Sequence, residues 1–199
     1  MRRGRRWLSW LAITLFVTSM VSCSSSGQTT GVVRPDPTSP VAEGFKADLE
    51  FRAVRLTVPK IGDNCPDPGS LASVPAGVIV SDRSGAYCYL LGPVLLTSAD
   101  IHSVTVLATA AFEWAVHLQF KDNKWVSKVA RPFVNKRVAV VLDGVVQAAL
   151  RIEPGFAADD VDVLGSPARY SRSEAIEVAA TIRGVAPSKV RVRSVDPGP

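Results

Sequence analysis

The stretch RVAVVLDGVVQAALRI, Arg137 to Ile152, decides the fold because it encodes a β-hairpin. Two apolar runs rich in valine flank Asp143-Gly144. Both central residues of a type I′ turn need a positive φ, which Asp and Gly tolerate best. The sequence therefore predicts two antiparallel strands joined at Asp143-Gly144, and we expect this hairpin at the centre of a sheet.

Strand patterns lie on both sides of the hairpin. From Phe112 to Phe120 the residues alternate strictly, with large apolar side chains on one face and mostly polar ones on the other. Further strands are predicted at Leu49 to Val58, at Ala86 to Leu91, at Val104 to Ala108 and around Val161 and Val163. Gly92-Pro93 is expected to end the strand that begins at Ala86.

Helix signals are fewer than strand signals. Ser171 and Glu174 form a capping box, and Gly184 is a natural C-terminal residue for the helix that follows. Two shorter helices are also predicted. One begins at the Thr97 and Asp100 pair and extends through about Ser103. The other lies around Trp125, Val126 and Val129, with Asp122 or Asn123 as its cap and Pro132 as its end. The pattern indicates an α+β single domain with a mainly antiparallel sheet, a central Asp-Gly hairpin and two or three helices.

The first residues have the features of an export signal. Four arginines precede an uncharged apolar run from Trp7 to Met20, which is shorter than the roughly 20 residues of a spanning helix. Met20-Val21-Ser22-Cys23 resembles a bacterial lipobox, which implies a diacylglycerol-modified, palmitate-bearing Cys23 on the extracytoplasmic side of the cell membrane. An ordinary secretory signal with an incidental cysteine is the alternative.

The predicted organisation has four parts. Residues 1–22 are the signal peptide, and residues 23–46, rich in Ser, Pro and Gly, are a flexible tether. Residues 47–184 form the domain. Residues 185–199 form a tail, of which Lys189 to Pro199 either pairs as an edge strand or stays loose.

The charge balance depends on the signal peptide. The whole chain carries +5, from 23 basic and 18 acidic residues. Removal of the four signal arginines leaves 19 basic residues against 18 acidic ones, a net charge of +1. A nucleic-acid partner therefore has little electrostatic support.

The remaining two cysteines predict a disulfide. Cys65 and Cys88 would share an oxidising compartment, in which such a pair most simply bonds. The bond would contribute about 3 kcal/mol by restricting the unfolded chain. A metal site with two cysteines is the alternative, but it lacks neighbouring ligands, since His102 and His117 show no metal-binding spacing.

Other polar groups have a structural interpretation beside a chemical one. Glu113 and His117 share a strand face, as an acid–base pair or as a solvated surface. Ser166 lacks a nucleophile elbow, and neither histidine has an obvious Asp partner. An acidic cluster is either a calcium-binding loop or an exposed turn, and it consists of Glu153, Asp159, Asp160 and Asp162. Trp114 and Trp125 either line a groove for an apolar ligand or belong to the core. We expect no catalytic, cofactor-binding or metal site.

The central half of the chain resembles the extracytoplasmic head subdomain of the SecD subunit, or fused SecDF, of the bacterial preprotein translocase. The resemblance extends from about Ala86 to Arg183 and depends on the order of five blocks: Tyr89–Pro93, Leu96–Ile101, Trp114–Phe120, Arg137–Gly144 and Tyr170–Ala175. It implies the head fold and a capacity to contact extended or unfolded chains.

Three departures limit what the resemblance implies. Val145 to Leu150 lacks the family's Ser-Ala-Pro, Lys121 to Lys136 is shorter than the family's helix region, and no multi-helix membrane domain follows. The translocase's proton-coupled work is therefore not expected. We expect a non-catalytic accessory module whose partners are the membrane, through its anchor, and an exported polypeptide or envelope complex. A carrier of lipid or another apolar ligand is the alternative.

Overall fold

The computed structural model describes residues 45–71, 77–109, 113–155 and 158–194. Nine strands and one regular α-helix lie in these ranges, with short helical turns between them. The strands are β1 (Leu49–Pro59), β2 (Val78–Ser81), β3 (Tyr87–Thr97), β4 (Ile101–Ala108), β5 (Trp114–Phe120), β6 (Arg137–Leu142), β7 (Val145–Arg151), β8 (Asp160–Val163) and β9 (Val192–Ser194), and the helix is α1 (Arg172–Arg183). The predicted α+β class is confirmed.

The first sheet has five antiparallel strands in the order β2-β3-β1-β6-β7. Its two edge strands approach each other at one point, where Asp82 forms a bridge with Val146 and the Arg83 N–H donates to the Val146 carbonyl at 3.0 Å. The sheet is therefore curled. An inner apolar cluster fills its concave face and consists of Tyr89, Leu91, Ala139, Val141 and Val146.

The second sheet has four strands in the order β8-β5-β4-β9. Among the named strands, β9 is the exception in pairing parallel to its neighbour, β4. Of the two interpretations of the stretch that begins at Lys189, the structure shows the edge strand, over Val192–Ser194. One face of the second sheet, the opposite face of the first sheet and α1 enclose the main core, whose members include Phe51, Leu118, Trp125, Val140 and Ile182.

The Asp143-Gly144 turn forms as predicted, with φ values of 49° and 76°. Asp143 also holds the start of β1, since its carboxylate accepts from the Asp48 N–H at 3.1 Å and its own N–H donates to the Asp48 carbonyl at 2.9 Å. The expected position at the centre of the sheet is wrong for one strand. β6 lies inside the sheet, but β7 is at its edge because the chain then leaves for the second sheet.

β3 does not end at Gly92-Pro93 as predicted. It continues to Thr97, because the register against β1 shifts at this point and leaves Pro93 without a paired position. Pro93 is exposed and lacks an N–H, so it costs no ladder hydrogen bond at a bulge. A Cβ at Gly92 would lie 3.1 Å from Arg55 Nε, so a larger residue there would require the Arg55 side chain to shift.

The predicted helix after Thr97 is much shorter than expected. Its capping box is present, with the Thr97 N–H donating to the Asp100 carboxylate at 3.0 Å, but only Ser98–Asp100 are helical. Residues from Ile101 onward are extended because Ile101, Val104 and Val106 must all enter the main core from a strand. At α1, by contrast, the Ser171 and Glu174 capping box and the left-handed Gly184 are both confirmed.

Candidate functional site

The disulfide between Cys65 and Cys88 is confirmed, with the two sulfurs 2.06 Å apart. It fastens the loop after β1 to the buried start of β3, where Cys88 is fully enclosed. The other cysteine of interest, Cys23, lies outside the described residues. In the described part of the chain, every helix is too short or too polar to cross a membrane.

The second sheet presents a polar surface on the side away from the main core. We call it the histidine face, defined by Ser103, Thr105, His117, Gln119, Asp160 and Asp162. Strand register places these residues in two rows, because Thr105 and Asp162 both lie opposite His117, and Ser103 and Asp160 both lie opposite Gln119. Directly opposed residues on neighbouring strands share a face.

Hydrogen bonds link the side chains of this face across the strands. His117 Nδ1 lies 2.8 Å from Asp162 Oδ1, and His117 Nε2 lies 3.9 Å from Asp160 Oδ2. Ser103 Oγ donates to Gln119 Oε1 at 3.0 Å. The imidazole is therefore held between two carboxylates, while Gln119 remains exposed to solvent.

Of the two interpretations of Glu113 and His117, the structure does not show the acid–base pair. Glu113 pairs with Arg169 at 3.4 Å, whereas His117 pairs with Asp162. The expectation that neither histidine has an Asp partner is also wrong, because Asp162 is 45 residues away along the chain and becomes a neighbour only when β8 pairs with β5. The alternating Asp-Val-Asp-Val of β8 was the available signal.

The predicted acidic cluster separates into local structural roles. Asp159 Oδ1 accepts from the backbone N–H groups of Trp125 and Val126, at 2.9 Å and 3.4 Å. It therefore caps the helical turn that Asp122 or Asn123 was predicted to cap. Glu153 pairs with Arg151 at 3.3 Å. No metal-binding group of three His, Cys, Asp or Glu side chains occurs among the described residues.

The cap prediction fails for a geometric reason. Asp122 and Asn123 both have positive φ, 51° and 55°, so the chain reverses direction there. Asp159 enters from the segment before β8, held by the bond from the Phe120 N–H to its carbonyl at 2.9 Å.

Beside the histidine face is a polar groove of about 400 Å³. Its walls combine one histidine, one lysine, an aromatic ring, an amide and three carboxylates, from His102, Lys121, Phe120, Gln119, Asp122, Asp159 and Asp160. Lys121 Nζ donates to the Ala99 carbonyl at 2.8 Å. The groove therefore combines hydrogen-bonding groups with apolar contact.

The apolar interior is closely filled. The void between the sheets and α1 has a volume of about 10 Å³, whereas ligand pockets span several hundred Å³. Trp125 is buried, with ring centroids 5.6 Å from Phe51 and 5.2 Å from Phe120. Trp114 is half-buried beneath the Arg172 guanidinium. Both tryptophans are thus packing residues, and this geometry does not favour an apolar-ligand carrier.

A polar network that the sequence patterns did not indicate joins the first sheet to α1. Arg83 Nη2 donates to Glu174 Oε1 at 2.7 Å, and the guanidinium lies 4.8 Å from the ring centroid of Tyr170. Burial raises the pKa of the Tyr170 hydroxyl to about 12. Hydrogen bonds with the backbone and side chain of Ser171, followed by the charge of Arg83, hold the pKa of Glu174 below its usual value.

Comparisons with known proteins give matches among solved structures. No protein-family model matches the chain, and no curated protein matches it. A crystal structure of SecDF in a super-membrane-facing form is 25% identical, with a TM-score of 0.47, and the match covers 72% of this chain and 19% of that one.

Two further SecDF structures are similar to the chain. One, of SecDF as a membrane component that enhances protein export, is 26% identical with a TM-score of 0.47, covering 72% of this chain and 64% of that one. The other, of translocon-associated SecDF from Thermus thermophilus, is 27% identical with a TM-score of 0.42, covering 70% and 19%. The chain spans less than two thirds of each, and no family assignment follows.

Proposed function

We propose that the protein is a lipid-anchored, non-catalytic binding module on the extracytoplasmic side of the cell membrane, where it contacts an exported polypeptide as an accessory to protein export. The histidine face is the observation that carries the proposal. It presents an imidazole, carboxylates, a hydroxyl and an amide on the outer side of a sheet whose other side packs the main core.

The sequence blocks that resemble the SecD head support the same proposal. Each block coincides with one element: Tyr89–Pro93 lies in β3, Trp114–Phe120 is β5, and Arg137–Gly144 comprises β6 and its turn. Leu96–Ile101 contains the capped turn before β4, and Tyr170–Ala175 opens α1. One of these blocks, Trp114–Phe120, supplies the strand of the histidine face that carries His117 and Gln119, and the others lie in the first sheet, in the turn before β4 and in α1.

Site-specific photo-crosslinking in cells tests the contact. A photoreactive residue at Gln119, exposed on the histidine face, is expected to form adducts with a newly synthesised secretory protein during a pulse of labelling. Glu177, exposed on the outer side of α1, is the matched control position. Equal labelling from both positions, or none from Gln119, would contradict the proposal.

The anchor is tested separately. The Cys23→Ser chain should leave the membrane fraction and appear among soluble extracytoplasmic proteins, because a chain that lacks the acyl groups loses its hydrophobic attachment. Cell fractionation followed by immunoblotting measures this. Retention of the variant in the membrane fraction, at the level of the unsubstituted chain, would contradict anchoring through Cys23.

A further inference from the structure

The outer edge of β7 has backbone groups that no described residue uses. The Ile152 N–H donates to the Lys136 carbonyl at 3.0 Å, and the Ile152 carbonyl accepts from the Asn135 N–H at 2.8 Å, so Ile152 faces β6. In an antiparallel pair the direction of these groups alternates along the strand. Ala149 and Arg151 therefore direct their N–H and C=O groups away from β6.

The rest of this edge is already covered. Val146 is bridged to Asp82, and the Gln147 carbonyl accepts from the Ser166 N–H at 3.0 Å. The open segment thus begins after Gln147 and consists of Ala149 to Arg151, which is enough for a short added strand. Strand addition to such an edge is a recurrent mode of peptide recognition.

Two arginines lie directly opposite each other beside this open segment. Arg137 on β6 is the register partner of Arg151 on β7, which places their Cβ atoms about 5 Å apart on one face. Arg151 has a partial partner in Glu153 at 3.3 Å, whereas no carboxylate of the described residues forms an ion pair with Arg137. Like charges in this position destabilise a sheet, so an anionic side chain beside the two guanidinium groups would be favoured.

The opposite face of β7 has a different character. Leu150 is half-buried against the main core. A strand added at this edge would alternate its own side chains between the two faces. One face would meet Arg137 and Arg151, and the other would extend the apolar surface at Leu150.

We propose that the edge of β7 from Ala149 to Arg151 binds an extended polypeptide segment that carries an acidic side chain, adding a sixth strand to the first sheet. The backbone groups of Ala149 and Arg151 supply the pairing, and the two guanidinium groups select a carboxylate through charge-assisted hydrogen bonds. This inference rests on the proposed function, because it adds a second contact with the exported chain, apart from the histidine face, and names the chemistry that this contact would select. A second copy of this chain is a poorer occupant, since pairing β7 with β7 would bring more arginines together.

Peptide binding to the full chain tests this inference. The probe is a fluorescent peptide alternating valine and glutamate, compared with the same peptide carrying glutamine and with one N-methylated at alternate residues. Fluorescence anisotropy should show about tenfold weaker binding for Arg137→Gln and for the glutamine peptide, as expected for the loss of a charge-assisted hydrogen bond. Arg131→Gln removes an equal charge from an exposed residue elsewhere and should leave the Kd unchanged.

The backbone contribution is measured without relying on a protein variant. The N-methylated peptide cannot donate its ladder hydrogen bonds and should not bind. Ala149→Pro, which removes an N–H that faces outward, should have the same effect while the melting temperature reports that the domain is folded. Equal binding of the N-methylated peptide, or equal effects of Arg131→Gln and Arg137→Gln, would overturn the inference.

Two results separate this inference from the proposed function. If the peptides and the variants show none of the expected differences in Kd while Gln119 still forms crosslinks, the β7 site is overturned and the proposed binding module is not. Sedimentation measures whether the purified chain forms dimers. If it does, and Ala149→Pro abolishes them, the occupant of the β7 edge is a second copy of the chain and the peptide site is overturned.

Discussion

Asp159 joins two parts of the chain that are distant in sequence. Its carboxylate caps the helical turn at Trp125, 34 residues earlier. The turn also places the Trp125 ring among Phe51 and Phe120 in the main core. One side chain therefore fixes both the start of a helical segment and the position of the largest buried ring.

Asp159→Ala should lower the free energy of unfolding by about 1 kcal/mol, the usual cost of losing a cap. Asp159→Asn retains an acceptor oxygen and should cost clearly less. Urea denaturation of both variants measures the difference. Equal losses would show that the hydrogen bonds to Trp125 and Val126 are not what Asp159 contributes.

Glu174 links stability to pH. Its pKa is lower in the folded state than the ordinary 4.5, so its contribution is present above pH 4.5 and is lost as the pH falls through the folded-state pKa. The amide side chain that Glu174→Gln introduces does not titrate in this pH range. The variant should be less stable than the unsubstituted protein at neutral pH, and the gap should shrink below pH 4.5. A gap that widens on acidification, in urea titrations at several pH values, would contradict this.

Elements defined by neighbouring residues were predictable, and elements that depend on distant partners were not. The Asp143-Gly144 turn and the Ser171 cap need only a few consecutive residues, so the sequence indicates both. The start of the turn at Trp125 depends on Asp159, and the passage of β3 through Pro93 depends on a bulge against β1. The separation into two sheets likewise follows from pairings that no single segment encodes.

β2 shows a local signal that strand patterns alone did not reveal. Asp82 Oδ1 accepts from Ser84 Oγ at 2.9 Å and from the Ala86 N–H at 3.1 Å, and Gly85 has a φ of 69°. These are features of a turn between two strands. Asp82 to Gly85 therefore marks the β2–β3 hairpin, and a short apolar run before it is the strand.

The candidate site follows the same division. The disulfide was predictable because only Cys65 and Cys88 remain once Cys23 is assigned to the anchor. The His117–Asp162 pair was not, because it depends on the pairing of β8 with β5. The open edge at Ala149 depends on β7 lying at the end of its sheet rather than at its centre.

The hairpin turn can be tested through Gly144. Its φ is 76°, and a Cβ at this position would meet nothing within 4 Å. Gly144→Ala should therefore cost about 1 kcal/mol through backbone conformation alone, without a steric clash. Gly144→Asn, which tolerates positive φ better, should cost less. Thermal unfolding of the two variants measures this, and equal costs would contradict the conformational explanation.

The disulfide should be worth about 3 kcal/mol to the folded domain. Cys65→Ser should lower the melting temperature, and the unsubstituted protein in reductant should melt at the temperature of the variant. Cys88 is fully buried and bonded, so the native protein should offer no thiol at this position to an alkylating reagent. Alkylation of Cys88 in the native, unreduced protein would contradict the bond.

At the scale of the whole molecule, the first sheet has apolar clusters on both faces. Leu91 belongs to the inner cluster, whereas Ile182 of α1 belongs to the main core. β6 contributes alternate residues to each, Val141 to the former and Val140 to the latter. Loss of either cluster therefore exposes one face of the same strands.

Because the two clusters share strands, the domain should unfold in one cooperative step. Leu91→Ala and Ile182→Ala should each cost about 2–5 kcal/mol and shift a single transition. Tryptophan fluorescence, which reports Trp125 in the main core, should give the same midpoint as circular dichroism for both variants. Separate midpoints for Leu91→Ala would show that the curled sheet melts on its own.

The bond between Cys65 and Cys88 also determines what a protease can release. The stretch that it encloses includes β2 and its turn, so a single cut inside it breaks the backbone but leaves one covalent molecule. A chain nicked there would migrate as one species on a non-reducing gel and as two after reduction. Loop cleavage at this end of the domain would therefore be silent until the fragments are reduced.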